Sequence, residues 1–214
     1  NLLEILTHIG HSEKVFIMKR LLFILILMLS FQSWTKADDI SDFEIEGISV
    51  GESLLDFISK DEINKRAEYH KEQGKNKDVG HITKLVDSDL FIQINASFKT
   101  DDKNFEIISI TGFVNINSDI KKCESKKKDI VLQISSVFNK TKKWDTGKQK
   151  HEFDQSSTYY GTVFEFDTNT SAREFIRVQC YDWSKKSGYE DQLRIEIVSK
   201  TYYAWLKNLY ENTN

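Results

Sequence analysis

The chain has 214 residues, and its 30 Lys and Arg are nearly balanced by 33 Asp and Glu, which gives a formal net charge of -3 at pH 7. This mildly acidic balance argues against the clustered excess of basic residues with which proteins bind nucleic acid. We therefore expect no nucleic-acid partner.

Residues Met18–Ala37 have the three parts of a secretory signal peptide. The basic residues Lys19 and Arg20 are followed by an apolar core at residues 21–29 and, at the end, by a small-residue cleavage site. The apolar run is about half as long as a membrane-spanning helix, which favours a cleaved signal over a retained anchor. The sequence thus predicts a periplasmic or secreted protein with no transmembrane segment in the mature chain.

The predicted signal divides the chain into three segments. Residues 1–17 precede Met18, the only plausible initiator, and we interpret them as an upstream extension that is not translated. Residues 18–37 are the signal peptide. Residues 38–214 are long enough for a hydrophobic core of their own, and we expect a single α+β domain there.

The segment Ser118–Asn139 has the longest amphipathic pattern in the chain. Apolar side chains recur on one face at helical spacing: Ile120, Cys123, Ile130, Val131, Ile134, Val137 and Phe138. This stripe predicts a long helix packed on a sheet. Lys127 interrupts the stripe, and we expect its aliphatic stem to pack while the ammonium group reaches solvent, although a functional lysine is the alternative.

The segment before this helix begins with short elements. Residues 43–46 alternate apolar and charged side chains, which predicts a short strand. Ser53 and Ser59 are suitable helix caps, so we expect short helices at Leu54–Ile58 and Lys60–Tyr69.

Five further segments have the alternation or the β-branched and aromatic content of strands. They are residues 90–98, 105–116, 159–166, 174–183 and 192–200. Short turns join the first two as a hairpin and the last three as an antiparallel meander. We interpret the polar segments His70–Gly80 and Lys140–Ser157 as an exposed loop and a surface connection.

The last amphipathic segment, Thr201–Asn212, predicts a C-terminal helix docked on the sheet. The elements together predict an α+β fold, in which an antiparallel sheet of about five strands has one long helix packed on one face. The short N-terminal helices and the C-terminal helix complete this architecture.

Two short stretches carry resemblances to known families. Residues 43–58 combine a predicted strand, the pattern Gly-apolar-x-apolar-Gly-x-Ser and an apolar helix. This unit resembles the start of small envelope proteins of the β-lactamase-inhibitor-like and outer-membrane-assembly lipoprotein kinds, but the cysteine that such lipoproteins use for lipid attachment is missing. Residues 47–55 and 178–183 are similar to uncharacterised exported proteins of marine bacteria with A+T-rich genomes. That resemblance implies export and no known activity.

Residues suited to catalysis or metal binding are scattered along the sequence. His70, His81 and His151 are isolated from one another, and no pair of cysteines has metal-ligand spacing. A phosphate-binding loop and a nucleophile elbow are also missing. We therefore predict no metal, no cofactor and no catalytic residue. The alternative is a hydrolase-like enzyme that uses Asp182 with His151 or His81.

Aromatic residues are concentrated in the second half of the chain, where they could pack in the core or form a binding platform. Tyr181 and Trp183 share one face of a predicted strand, opposite the face of Val178 and Cys180. If the long helix covers the second face, both rings lie on the uncovered one. Together with Asp182 they are the candidate residues for binding a protein or a small molecule.

These observations favour an exported, non-enzymatic binding protein. Besides the hydrolase-like enzyme, the alternative is an envelope-associated structural protein, which only the glycine motif of residues 47–53 suggests. The partner's identity does not follow from the sequence.

Cys123 and Cys180 are the two cysteines of the chain, and export would place them in an oxidising compartment. Cys123 lies on the apolar stripe of the long helix. Cys180 shares its strand face with Ile176 and Val178, which we assign to that helix. We therefore predict a structural disulfide between them, with two buried free thiols as the alternative.

Overall fold

An antiparallel sheet of nine strands dominates the computed structural model, which describes residues 39–69, 78–116, 119–166 and 173–211. The strands are β1 (Glu68–Tyr69), β2 (Val79–Ile82), β3 (Phe91–Lys99), β4 (Ile107–Asn115), β5 (Lys142–Asp145), β6 (Gln149–Lys150), β7 (Thr158–Glu165), β8 (Phe175–Asp182) and β9 (Gln192–Val198). Their order across the sheet is β1-β2-β3-β4-β9-β8-β7-β5, and β6 also pairs with β7. The predicted signal peptide and upstream extension lie outside the described residues.

Three α-helices flank the sheet in the described part of the chain: α1 (Lys60–Arg66), α2 (Ile120–Val137) and α3 (Lys200–Glu211). Short 3-10 turns occupy Ile40–Asp42 and Leu54–Asp56. The carboxylate of Asp119 caps α2 by accepting hydrogen bonds from the backbone amides of the first turn. Ser118, where the sequence places the start of this helix, lies outside the described residues.

The predicted sheet of about five strands with one long helix is wrong, because the sheet has nine strands. The five predicted strands correspond to β3, β4, β7, β8 and β9. Every residue of β1, β5 and β6 is exposed, so these strands lack the apolar alternation that marks a half-buried strand. The segment Lys140–Ser157, predicted as a surface connection, contains β5 and β6, and the C-terminal end of the loop predicted at His70–Gly80 begins β2.

The strand predicted at residues 43–46 is also wrong. Ile45 and Ile48 exchange backbone hydrogen bonds of 3.0 and 3.1 Å around a tight turn. Glu46 and Gly47 form this turn with φ angles of 53° and 73°. Both isoleucines are buried, so the apolar spacing that suggested a strand arises from a turn inserted into the core.

The two short N-terminal helices are shorter than predicted. The helix expected at residues 54–58 is a single 3-10 turn, Leu54–Asp56. The helix expected at residues 60–69 ends at Arg66, because Glu68 and Tyr69 pair with β2 as β1. Ser59 caps α1 as predicted, since its hydroxyl accepts a hydrogen bond of 3.3 Å from the Glu62 amide.

The helix α2 covers one face of the central strands. Its side chains Cys123 and Ile134, and Phe138 directly after its last residue, are buried in the same core as Ile176 and Val178 of β8. A second, smaller core lies where α3 packs on the opposite face of the sheet, with Trp205 against Val79 of β2 and Ile108 of β4. The two helices therefore lie on different sides of the sheet.

Lys127 is half-buried on α2, and its ammonium nitrogen lies 5.1 Å from the centroid of the Tyr160 ring. Such a cation–π contact is compatible with a packed stem and a solvent-facing charge. Among the described residues, no helix combines the length and the apolar composition needed to cross a membrane.

A disulfide joins Cys123 of α2 to Cys180 of β8, as predicted, with a Cα–Cα distance of 5.9 Å. Both residues are fully buried, so the bond links the helix to the sheet inside the core. A buried structural disulfide is compatible with an oxidising, extracytoplasmic compartment.

Replacing both cysteines, in Cys123→Ala with Cys180→Ala, should lower the free energy of unfolding by roughly 4 kcal/mol, because the bond closes a long loop in the unfolded chain. Urea unfolding of the oxidised wild type and the double variant measures the difference. As a control, reductant should destabilise the wild type and leave the variant unchanged. Equal unfolding free energies in the two oxidised proteins would contradict a stabilising role.

Candidate functional site

Six rings form a contiguous group, here called the aromatic cluster, on the sheet face opposite α2. Its members are His151, Phe153, Tyr159, Tyr181, Trp183 and Tyr189. Tyr159 of β7 and Tyr181 of β8 are direct cross-strand partners. Trp183 follows β8 with the same side-chain parity as Tyr181, which places both rings on the face that is not covered by α2.

Each ring of the cluster contacts at least one other ring of the cluster. Tyr159 and Tyr181 stack with centroids 5.6 Å apart and planes 24° apart, and Trp183 continues the stack at 5.8 Å and 18°. His151 and Tyr189 lie against Trp183, with centroid distances of 4.5 and 4.9 Å. Trp183 is therefore at the centre of the cluster and is held from several directions.

Arg194 of β9 supports the cluster from the neighbouring strand. Its guanidinium carbon lies 3.9 Å from the centroid of Tyr181, within the range of a strong cation–π contact. When the Gln192 side-chain amide is oriented with its oxygen toward the neighbouring donors, this oxygen accepts two hydrogen bonds. One comes from the Arg194 guanidinium at 2.8 Å and the other from the indole nitrogen of Trp183 at 3.1 Å. These contacts fix the orientation of both aromatic rings.

Tyr181 lies at the base of the cluster, against the sheet, and contributes little to its exposed surface. Only 7% of this residue is exposed, and its hydroxyl donates a hydrogen bond of 3.1 Å to the side chain of Gln179. Burial, with the nearby Glu196 carboxylate, raises the pKa of Tyr181 to about 12. The phenol therefore stays protonated across the physiological range.

The exposed surface of the cluster is formed by its two loop residues. Phe153 is 91% exposed and Tyr189 is 67% exposed, the largest values among the exposed large apolar residues described. Trp183 is half-buried between these outer rings and the base. Any partner that approaches this face meets Phe153 and Tyr189 first.

The loops that carry the outer rings are tied together by one carboxylate. Asp154 accepts hydrogen bonds from the hydroxyl of Ser157 and, at 2.5 Å, from the hydroxyl of Ser184. The Ser184 amide in turn donates to the Ser157 hydroxyl at 2.8 Å. The hydroxyl hydrogen bonds from Ser157 and then Ser184 are the main reason why the pKa of Asp154 is lowered to about 2.

Asp182, the third candidate binding residue, lies on the other side of the sheet from Tyr181 and Trp183. Its carboxylate is 3.4 Å from the Lys148 ammonium and accepts a hydrogen bond of 3.4 Å from Thr158. The groove that contains it, of about 410 Å³, runs between α2 and the outer strands. The structure thus brings Tyr181 and Trp183 together and places Asp182 on the other side of the sheet.

The acid–histidine pair of the hydrolase alternative is not assembled in the described part of the chain. No histidine is among the described residues that line the groove of Asp182. His151 belongs to the aromatic cluster, whereas His81 lies beneath α3, where its ring contacts Tyr202 and Trp205. His70 lies outside the described residues.

The described residues also contain no group of three or more His, Cys, Asp or Glu side chains that could hold a metal ion. The arrangement on the sheet face offers apolar contact area at Phe153 and Tyr189.

Sequence reasoning missed Asp154 and Arg194, which organise the cluster. Arg194 interrupts the apolar residues Leu193 and Ile195, so its strand parity assigns it to the same face as Tyr181. The spacing of Asp154 and Ser157 is typical of a local side-chain turn, but only the fold brings Ser184 within reach.

The variant Asp154→Asn should unfold at a lower temperature than the wild type near neutral pH, because it weakens the link between the two loops. The folded-state pKa of about 2 lies below the ordinary 3.8, so the stabilisation is present above pH 3.8 and is lost as the pH falls through about 2. Thermal unfolding measured at several pH values should therefore show that the difference in unfolding temperature between the two proteins decreases as the pH falls through this range.

Glu152→Gln, at an exposed position of the same loop, is the control and should unfold like the wild type near neutral pH. A difference between Asp154→Asn and the wild type that stays constant down to pH 2 would contradict the role of the carboxylate.

Comparison with known proteins found no family model, no curated protein and no solved structure that matches this chain. The functional assignment therefore rests on the geometry of the aromatic cluster.

Proposed function

We propose that this is an exported, non-enzymatic protein that binds a partner protein through the aromatic cluster. The observation that carries the proposal is the exposure of Phe153 and Tyr189 on loops that hydrogen bonds hold in place. A contiguous group of exposed apolar side chains typically marks an interaction surface. Phe153 and Tyr189 belong to one such group, since His151 and Trp183 connect them. Aromatic anchors are also the residues that dominate binding energy in protein interfaces.

The shape of the site favours a protein over a small molecule. Small-molecule sites are concave and bury most of the ligand surface. Phe153, by contrast, projects from a loop with 91% of its surface exposed. A projecting ring suits insertion into a pocket of the partner, while a small ligand remains the alternative.

The loops that carry the outer rings are preorganised by hydrogen bonds within the protein. Asp154 links the loop of Phe153 to Ser184, and the carboxylate of Asp191 accepts a hydrogen bond of 2.7 Å from the Trp183 amide. Loops that are already ordered lose less conformational entropy on binding, which increases affinity.

Export is supported by the predicted signal peptide and by the disulfide, which suits an oxidising compartment. The resemblance to exported proteins of marine bacteria agrees with this compartment. The alternative of an envelope-associated structural protein loses support, because the N-terminal strand on which its motif depends is a tight turn. The hydrolase-like alternative is disfavoured, because Asp182 and the described histidines are in different places.

Phe153→Ala should abolish most partner recovery while leaving the fold unchanged, because the ring contacts solvent rather than core. Mature wild-type and variant proteins, each immobilised, can be exposed to the same envelope extract and the bound proteins quantified by mass spectrometry. Leu132→Ala is the matched control, since Leu132 is 59% exposed on α2, away from the cluster. Equal recovery by the wild type and Phe153→Ala would reject the cluster as the binding surface.

Trp183→Ala should weaken the same interaction and cost clearly less than the roughly 3 kcal/mol expected for deleting a buried large aromatic side chain. The reason is that Trp183 is half-buried on an uncovered face and orients the outer rings. Chemical denaturation measures the stability, and affinity for the partner found with the wild-type bait measures binding. A loss of stability as large as that of a core residue would assign Trp183 to the core.

A further inference from the structure

The outer edge of the sheet beyond β7 is one bulged strand. β5 pairs with Thr162 to Glu165, and β6 pairs with Thr158 and Tyr159 of the same strand. The register shifts by one residue between the two pairings, where Gly147 has a φ angle of 68°. β5 is the last strand in the order of the sheet and all of its residues are exposed, so its other side pairs with no strand in the described part of the chain.

The backbone groups on this free side belong to Lys143 and Asp145. The Thr146 amide donates a hydrogen bond of 2.9 Å to the Gly161 carbonyl, so these two residues form a hydrogen-bonded pair. Hydrogen-bonded and non-hydrogen-bonded pairs alternate in an antiparallel ladder. Trp144 therefore bonds to β7, whereas the amides and carbonyls of Lys143 and Asp145 point outward.

The side chains of the same two residues carry opposite charges. Neither side chain forms an ion pair with another residue that the structure describes. The Lys143 ammonium donates to the Ser135 hydroxyl at 3.2 Å in an exposed position. One carboxylate oxygen of Asp145 accepts from Thr162 at 2.5 Å, which leaves the second oxygen for another donor.

We propose that two copies of this chain associate by antiparallel pairing of β5 with β5, with Trp144 opposite Trp144 of the other copy. In this register Lys143 of each copy lies opposite Asp145 of the other. The outward amides and carbonyls of these residues then form the ladder, and two salt bridges form on the side of α2. The interface goes beyond the proposed function and does not depend on it.

Charge selects this register over its neighbours. If both strands are shifted by one residue in one direction, Lys143 lies opposite Lys143 of the other copy. If both are shifted by one residue in the other direction, Asp145 lies opposite Asp145 of the other copy. Like charges in direct cross-strand pairs are destabilising, and opposite charges are stabilising. Lysine on an edge strand normally prevents edge-to-edge pairing of sheets. In the proposed register, however, each Lys143 charge is neutralised by Asp145 of the other copy.

The opposite side of the ladder adds an aromatic contact. Trp144 is 38% exposed and lies on the face away from Lys143 and Asp145. In the proposed register the two Trp144 rings occupy a non-hydrogen-bonded pair, where cross-strand side chains approach most closely. The turn before β5 and the bulge after it limit the pairing to a short segment, so the dimer should be weak and dependent on concentration.

Sedimentation equilibrium of the disulfide-bonded protein over a wide concentration range tests the proposal. The wild type should shift from monomer to dimer as concentration rises, and high salt should weaken the dimer. Lys143→Asp alone and Asp145→Lys alone should each stay monomeric, because each places like charges opposite one another. An equimolar mixture of these two variants should dimerise, since each supplies the charges that the other lacks.

Circular dichroism and thermal unfolding control for folding, which matters because Asp145→Lys also loses the hydrogen bond from Thr162. Lys143→Pro offers a second variant, since it removes an outward amide that makes no bond to β7, and it should be monomeric as well. A wild type that remains monomeric at every concentration, or a dimer that Lys143→Asp does not affect, would overturn the proposal. Phe153→Ala should dimerise like the wild type, and its loss of dimerisation would place the interface at the aromatic cluster instead.

Discussion

The alternation of side chains along β8 is the constraint on which both faces of the sheet depend. Cys180 points toward α2 and forms the disulfide, whereas the next residue, Tyr181, points to the opposite face as the base of the aromatic cluster. Asp182 turns back to the side of α2 and pairs with Lys148. A slip of one residue would exchange the two faces, so the disulfide that fixes the helix also fixes the cluster.

Among the described helices, α3 covers one end of the sheet face that carries the cluster. Near that end, Tyr203 of α3 contacts Phe175 of β8 with a centroid distance of 6.3 Å. Further along, Arg177 donates a hydrogen bond of 2.6 Å to its cross-strand neighbour Glu196, and Arg194 lies over Tyr181. These charged groups shield the apolar surface between them, which is why the face can remain in contact with water.

Close contact between β7 and β8 connects the cluster to the outer edge of the sheet. At Gly161 a Cβ atom would lie 2.4 Å from the carbonyl oxygen of Val178 and 2.4 Å from the side chain of Gln179. A side chain at this position would push β7 outward, together with Tyr159 and the paired strand β5. The aromatic cluster and the outer edge of the sheet lie in different places but share this support.

The sequence by itself determined the long helix α2, the positions of β3, β4, β7, β8 and β9, and the pairing of Cys123 with Cys180. Apolar residues recur at helical or strand spacing wherever one face of the helix or strand is buried. In an oxidising compartment, two cysteines in one chain have only each other as partners for a disulfide. Tertiary structure decided the rest. The exposed residues of β5 and β6 are strands only because β7 presents an edge to them. Tyr181, predicted as a contact residue, is buried, because Tyr159 and Arg194 of the two neighbouring strands pack against its ring, and no local pattern encodes these contacts.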